Sequence, residues 1–170
     1  MLSPIVNRPV APDDVPLISA LHDRVFGPGR FARTAYRVRE QMGPGSELSR
    51  FCRLVAAPDH LIAALRMSEI AIGGEAGAAL LGPLVVAPEH ADQGYGRALV
   101  KDAIEAARAA GVRLVVLVGD EPYYGRFGFK PVPPGTITFP GPVNPARILA
   151  AELAPGALAE YAGVISAKRG

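Results

Sequence analysis

The chain lacks most of the features that announce a function outright. It has one cysteine, Cys52, in 170 residues. A single thiol makes neither an intramolecular disulfide nor a zinc cluster built on thiolates. Charge of one sign is also missing. Lys and Arg number 18 against 16 Asp and Glu, a net charge of +2, too near neutral to argue for nucleic acid as a partner. The longest apolar run, Ala76 to Pro88, is interrupted by Gly82 and Pro83 and falls short of the ~20 residues that a bilayer needs. Met1 to Arg8 shows no basic region followed by an apolar stretch, so no secretory signal is read. A cytoplasmic protein with no membrane partner is therefore expected. No internal repeat or low-complexity tract is found. No two of His22, His60 and His90 stand at metal-ligand spacing, so no metal is expected. Each is read as structural or exposed, and Cys52 as a small buried apolar group. There is no Ser-His-Asp arrangement readable from spacing and no Gly-x-Ser-x-Gly elbow.

What is present suits one domain, residues 1–170. Apolar residues make up 49% and charged residues 20%, enough to bury a core and too apolar for wholesale disorder. Fifteen of the basic residues are Arg and three are Lys, and alanine is abundant. Both are read as compositional bias. Ile5 to Val10 reads as a first strand. Pro12-Asp13-Asp14 starts a helix of about Asp13 to Phe26, with Leu17, Ile18, Leu21 and Val25 at helical spacing. Gly27-Pro28-Gly29 ends it. Arg30 to Gln41 reads as a second, Arg-rich helix and Met42 to Ser49 as a loop. Three strands follow, Phe51–Ala57, Leu61–Ile72 and Ala78–Ala87. The turns Pro58-Asp59 and Gly73-Gly74 join them into an antiparallel meander. A helix of about Gly94 to Ala110 is capped by Gly111. The run Val112 to Val118 is typical of a buried parallel strand. The Pro- and Gly-rich tail from Lys130 offers one more strand, Ile148–Leu153. The expectation is a mixed α/β domain with one crossover.

The informative stretch is Leu84-Val85-Val86-Ala87-Pro88-Glu89-His90-Ala91-Asp92-Gln93-Gly94-Tyr95-Gly96-Arg97. A strand runs into a glycine-bearing loop that opens onto a helix. The first amides of a helix have no internal partner, and the dipole adds positive potential there, which suits a phosphate. Glycine at 94 and 96 lets a ligand approach the main chain. A dinucleotide fingerprint needs a third glycine where Leu99 stands, and an ATPase-type loop needs Gly-Lys-Ser/Thr; both fail.

The spacing does resemble the coenzyme A loop of the GNAT superfamily of N-acetyltransferases, Q/R-x-x-G-x-G/A. Gly94 and Gly96 match the last two fixed positions, and Ala91 departs from the first. That departure removes a polar side chain and leaves the backbone donors. Leu84 to Glu89 is similar to the family's fourth strand and following turn. Tyr123-Tyr124-Gly125-Arg126-Phe127-Gly128-Phe129 is similar to its tyrosine helix ending in Gly-Phe. The resemblance covers about Leu61 to Val132, and the Gly119–Tyr124 segment resembles an uncharacterised bacterial branch.

The resemblance implies a mostly antiparallel sheet whose fourth and fifth strands splay apart, with helices on both faces. It implies direct transfer of an acetyl group from acetyl-CoA to a primary amine of a small molecule or peptide. The diphosphate would rest on the amides of Gln93, Gly94, Gly96 and Arg97, within a loop that also holds Ala91, Asp92 and Tyr95. The Arg97 guanidinium either helps neutralise phosphate or is solvated. The pantetheine would pair with the main chain around Leu84, Val85 and Val86, with Arg126 and Tyr124 completing the coenzyme site. Tyr124, five residues before Phe129, takes the general-acid position, with Tyr123 as the alternative donor. A phenol donates to a departing thiolate without being charged beforehand. For the base, Glu69 is preferred because it interrupts an apolar run; Glu75, Glu89 or water are the alternatives. Arg30, Arg33, Arg37 and Arg39 either recognise an anionic acceptor or form a solvated face. The family also allows a homodimer. The rival reading is a non-catalytic acyl-CoA-binding or sensing module, and a longer acyl group is a third.

Overall fold

A computed structural model describes residues 5–27, 51–140 and 143–167. The Arg-rich helix and the loop read at 30–49, with Arg30, Arg33, Arg37 and Arg39, lie outside the described residues. In chain order the elements are β1 (Val6–Pro9), α1 (Val15–Phe26), β2 (Arg53–Ala57), β3 (His60–Ile72), β4 (Glu75–Val86), α2 (Tyr95–Ala109), β5 (Leu114–Val118), α3 (Glu121–Tyr124), β6 (Lys130–Pro131), β7 (Ile137–Thr138), β8 (Ile148–Glu152) and β9 (Gly163–Ala167).

The sheet runs β1-β2-β3-β4-β5-β8-β6. Each of these pairs is antiparallel except β4–β5, which is parallel. The tail contributes more than the single strand expected. β9 pairs antiparallel with the far end of β3 and parallel with β7. Neither β7 nor β9 has the length or alternation that marks a strand in isolation; both are held by what they cover.

Two layers of side chains sandwich the sheet. On one face, Leu99, Val100, Ala103, Ile104 and Ala107 of α2 pack against Ala63, Leu65 and Met67 of β3 and Val115 and Leu117 of β5. Lys101, Glu105 and Arg108 take the outer side of the same helix, as a 3.6-residue period demands. The helix closes in a Schellman motif. The Val112 N–H donates to Ala107 O at 3.0 Å and the Gly111 N–H to Arg108 O at 3.1 Å, with Gly111 at φ +89°. On the other face, Ile18 and Leu21 of α1 cover Leu54, Ala64, Val85 and Ala87. Beside them the tail covers Ile70, Ile72, Leu80, Leu114 and Val116 with Ile137, Phe139 and Tyr161. Leu17 and Val25, expected on the inner stripe of the first helix, are exposed at 59% and 37%. Asp14 and His22 share the inner face instead, and both are buried. Asp14 accepts from both Arg8 guanidinium nitrogens at 2.8 Å and from the Ala11 N–H at 2.7 Å, which ties the helix start to β1.

The feature that positions a site is the way β4 and β5 part. Their ladder holds only Ala78 to Leu80 against Leu114 to Val116. Beyond it β4 continues to Val86 along β3 while β5 stops at Val118. The β3–β4 register also shifts there. Leu65 faces Leu84 and Met67 faces Leu81, so β4 carries one extra residue around Gly82-Pro83. Such a bulge bends and twists a strand.

Candidate active site

The loop after β4 is built by short local bonds. Ala87 N–H donates to Ile62 O at 2.8 Å, and His90 N–H to Ala87 O at 2.8 Å. This turn swings the chain away from the sheet. Asp92, at φ +62°, and Gly94, at φ +88°, then reverse it in left-handed conformations that cost an L-residue about 1–2 kcal/mol. The reversal aims the start of α2 at the open side of β4. Ala98 N–H donates to Gly94 O at 3.1 Å, so the amides of Tyr95, Gly96 and Arg97 precede the first intrahelical bond. They are the donors that a helix leaves for a ligand.

A cavity of about 450 Å³ sits on these amides, lined by Val86, the loop from His90 to Arg97, Tyr123 and Arg126. Ala91, Asp92, Gln93, Gly94, Tyr95, Gly96, Arg97 and Arg126, named from the sequence, therefore come together at one place. Gly94 has no heavy atom within 4 Å of where a Cβ would stand; the space above it is open. At Gly96 the reason for glycine differs. A Cβ there would lie 3.1 Å from the Tyr123 hydroxyl, 3.4 Å from Val86 Cγ2 and 3.6 Å from Leu84 Cδ2. Two guanidinium groups, several free-standing amides and a missing Cβ fit the diphosphate of a nucleotide coenzyme.

Leu84 and Val86 pack toward α2, whereas Val85 is buried on the α1 face. Val85 can meet a ligand only through its main chain. The backbone from Leu81 to Val86 has no β5 partner in the register, so its outward groups form an edge on which an extended chain of amides could pair.

The two tyrosines of α3 point different ways, as neighbours on a helical turn do. Tyr123 faces the cavity, with the Arg126 guanidinium 5.2 Å from its ring centre. Burial pushes its phenol above the ordinary value, against the opposing influence of Arg126 and Arg97. It stays protonated at neutral pH. Tyr124 turns toward the open arm of β5. Its ring lies 5.9 Å from Phe129, and Gly119 could carry no Cβ, which would stand 2.6 Å from Tyr124 Cε2. Thus Tyr123 lines the cavity, and Tyr124 lies against Gly119, just after β5, and Phe129.

The carboxylates are spread out. Glu69 pairs with Ala79 across β3–β4, at the closed end of the wedge, and does not line the cavity. Glu75 opens β4 at its opposite end. Glu89 accepts from Arg24 of α1 at 3.0 Å. That guanidinium holds its carboxyl down at about 2, too acidic to collect a proton from an amine at neutral pH. Cys52 is buried, with its thiol 3.7 Å from Met67 O. His90 and Tyr123 line the cavity although sequence reasoning placed neither in the coenzyme site. The signal for His90 was its position three residues before Gln93 in the loop. Among the described residues no group of three or more His, Cys, Asp or Glu could hold a metal ion, and no helix is long and apolar enough to cross a membrane.

Comparison with known proteins bears on this geometry. Residues 49–131 match the model of the acetyltransferase (GNAT) domain, a span that holds the whole cavity lining. No curated protein matches the sequence. Among solved structures, the GNAT family N-acetyltransferase YhbS from Escherichia coli, in complex with CoA, superposes with a TM-score of 0.80. It is 25% identical over 99% of this chain and 91% of its own. A GNAT family acetyltransferase from Brucella melitensis, in complex with acetyl-CoA, gives a TM-score of 0.69 at 22% identity, over 98% of this chain and 97% of its own. The ribosomal-protein-S18-alanine N-acetyltransferase from Escherichia coli shares the fold at a TM-score of 0.60 and 16% identity, over 89% and 95%. The splayed β4–β5 pair, the loop–helix cavity and the domain match agree: residues 49–131 carry a GNAT acetyltransferase domain.

Proposed function

We propose that the protein transfers an acetyl group from acetyl-CoA to a primary amine of a small molecule or peptide. The observation that carries the reading is the coincidence of two features at one end of β4. The β4–β5 ladder stops at Leu80 and Val116, and the cavity at the start of α2 adjoins the strand just where it stands alone. Bound there, acetyl-CoA would supply an activated acyl carbon and a thiolate leaving group.

The chain's own residues then divide the work. Amides of Gln93, Gly94, Gly96 and Arg97, with the guanidinium groups of Arg97 and Arg126, hold the diphosphate. The free edge from Leu84 to Val86 aligns the pantetheine. Tyr124, beside the open arm of β5, donates the proton that the departing sulfur needs. The incoming amine must lose a proton as well. Glu89 is tied to Arg24, so Glu69, opposite Ala79 beside the end of the β4–β5 ladder, or water takes that proton.

The test is turnover with acetyl-CoA and a broad panel of amines, followed by thiol release. Some acceptor should be consumed, and Tyr124→Phe should lower kcat about 100-fold or more while CoA still binds. Tight CoA binding with no turnover on any amine would instead support a non-catalytic acyl-CoA-binding module.

A further inference from the structure

Two histidines that the proposed chemistry does not use meet at the rim of the cavity. His60 begins β3 and His90 stands in the loop before α2. Their Nε2 atoms are 2.9 Å apart. The ring centres are 5.1 Å apart and the planes differ by 16°. The centre-to-centre distance exceeds the N···N distance by about one ring width, so the rings meet end on. Each remaining nitrogen has its own oxygen. His60 Nδ1 lies 2.8 Å from Asp59 Oδ1, and His90 Nδ1 lies 3.3 Å from Gln93 Oε1.

The proton count of this chain is constrained. A carboxylate only accepts, so His60 Nδ1 carries a hydrogen and donates to Asp59. The two Nε2 atoms at 2.9 Å need one hydrogen between them; two would clash, and none would leave facing lone pairs. A transition metal would hold two imidazole nitrogens about 3.3 Å apart on converging rings, which end-on rings at 2.9 Å do not provide. The remaining variable is His90 Nδ1. When it is bare, Gln93 must turn its NH₂ toward it. When it is protonated, it donates to Gln93 Oε1, and the NH₂ is left for the cavity that Gln93 lines.

The geometry points to a proton-coupled anion site: His60 and His90 share one bridging proton, and His90 takes up a second from solvent when a diphosphate enters the cavity. The inference rests on the coenzyme site proposed above. Uptake favours the anion twice, through the positive charge of His90 and through the amide hydrogens of Gln93. His60 and Asp59 act as positioning residues, since their contacts leave Nδ1 of His90 as the nitrogen outside the bridge. The surrounding charges are consistent with this role. Glu89 is neutralised by Arg24 from α1, and the Tyr95 ring presents itself edge-on at 6.0 Å from His90. Asp92, Arg97 and Arg126 face the cavity on its other sides. Asp59, on the turn before β3, is held below the usual carboxylate range by His60.

The experiment is titration calorimetry of the intact protein with 3′-dephospho-CoA, which has a diphosphate but no group titrating near neutral pH. Runs at pH ~7 in two buffers of different ionisation enthalpy count the protons exchanged. A net uptake of protons on binding is expected. Linkage then requires Kd to rise about tenfold between pH ~6.5 and ~8.5 for a mean uptake of half a proton. Both His60→Gln and His90→Gln should lose the uptake. Nitrogen NMR of the wild-type imidazoles, which does not depend on the variants folding, should show His60 protonated at Nδ1 and one hydrogen shared between the Nε2 atoms. Binding without proton uptake, or uptake that survives in His60→Gln, would overturn the inference and leave the acetyltransferase reading standing. Failure of dephospho-CoA and CoA alike to bind would overturn both.

Discussion

Gly94 and Gly96 belong to one motif but should respond differently to the same added methyl group. At Gly94 the backbone sits at φ +88°. An alanine there costs about 1–2 kcal/mol for the left-handed conformation. Reduced freedom of the unfolded chain returns about 0.4–1 kcal/mol. The methyl itself meets nothing within 4 Å. Gly94→Ala should therefore destabilise by about 1 kcal/mol. At Gly96 the backbone is ordinary helix, and alanine gains up to about 1 kcal/mol in propensity. Its methyl would stand 3.1 Å from the Tyr123 hydroxyl, tighter than an ordinary contact, so Tyr123 must yield by a few tenths of an ångström. The two effects oppose, and Gly96→Ala should be near neutral in stability. Coenzyme binding should separate from stability. Both variants disturb the cavity, one by relaxing the loop that aims the amides and the other by shifting Tyr123 into it. Each should weaken CoA by tenfold or more, about 1.4 kcal/mol. Urea denaturation gives the stabilities and calorimetry the affinities. If Gly96→Ala proves the less stable of the two, or if both bind CoA as the wild type does, the account of this loop is wrong.

Two other changes probe the frame around the site. Leu99 is fully buried where α2 meets β3 and β5, and Leu99→Ala should cost about 2–5 kcal/mol in denaturant unfolding; a loss under ~1 kcal/mol would mean that α2 is not seated as described. Asp14→Asn should cost about 1–2 kcal/mol at neutral pH, a charge-assisted pair discounted for the partial exposure of Arg8. Arg8 holds the Asp14 carboxyl below its ordinary value, so this stability is full above pH ~4 and fades as pH falls through the lowered value. The gap between wild type and variant should therefore close in acid, and a gap that widens would contradict the pairing.

Much of the frame was legible because local and tertiary preferences agree in it. Val112 to Val118 is apolar at nearly every position because β5 is covered on both faces. The Gly111 cap and the alternating strand–turn pattern from Phe51 to Ala87 needed no tertiary information either. The tail was not legible for the converse reason. β9 is five residues long and is defined by pairing with Ile70 to Ile72, contacts about ninety residues away in sequence. The first helix misled because its two outermost apolar residues, Leu17 and Val25, fit the same period as the buried pair. Only the position of the sheet decides which stripe turns inward. Asp14 and His22 then took inner places that hydrophobicity alone would have refused them.

The site divides along the same line. Contiguous residues from Ala91 to Arg97 could be named because a strand–loop–helix junction is local and its chemistry comes from the main chain. The side chains that finish the cavity come from elsewhere, and their identity depends on registry. Tyr123 and Tyr124 are adjacent, so sequence cannot say which one faces the cavity and which the end of β5. One helical turn settles it, because Gly96 leaves room for the first ring and Gly119 for the second. The His60–His90 contact depends on registry too. It forms because β3 begins beside the end of β4, and Ala63 faces Val86 in the ladder, which brings the β2–β3 turn alongside the loop after β4. A shift of one residue in that pairing would turn Val86 away from α2 and part the two imidazoles. The β3–β4 register is thus a common cause of the cavity wall and of the proton bridge at its rim.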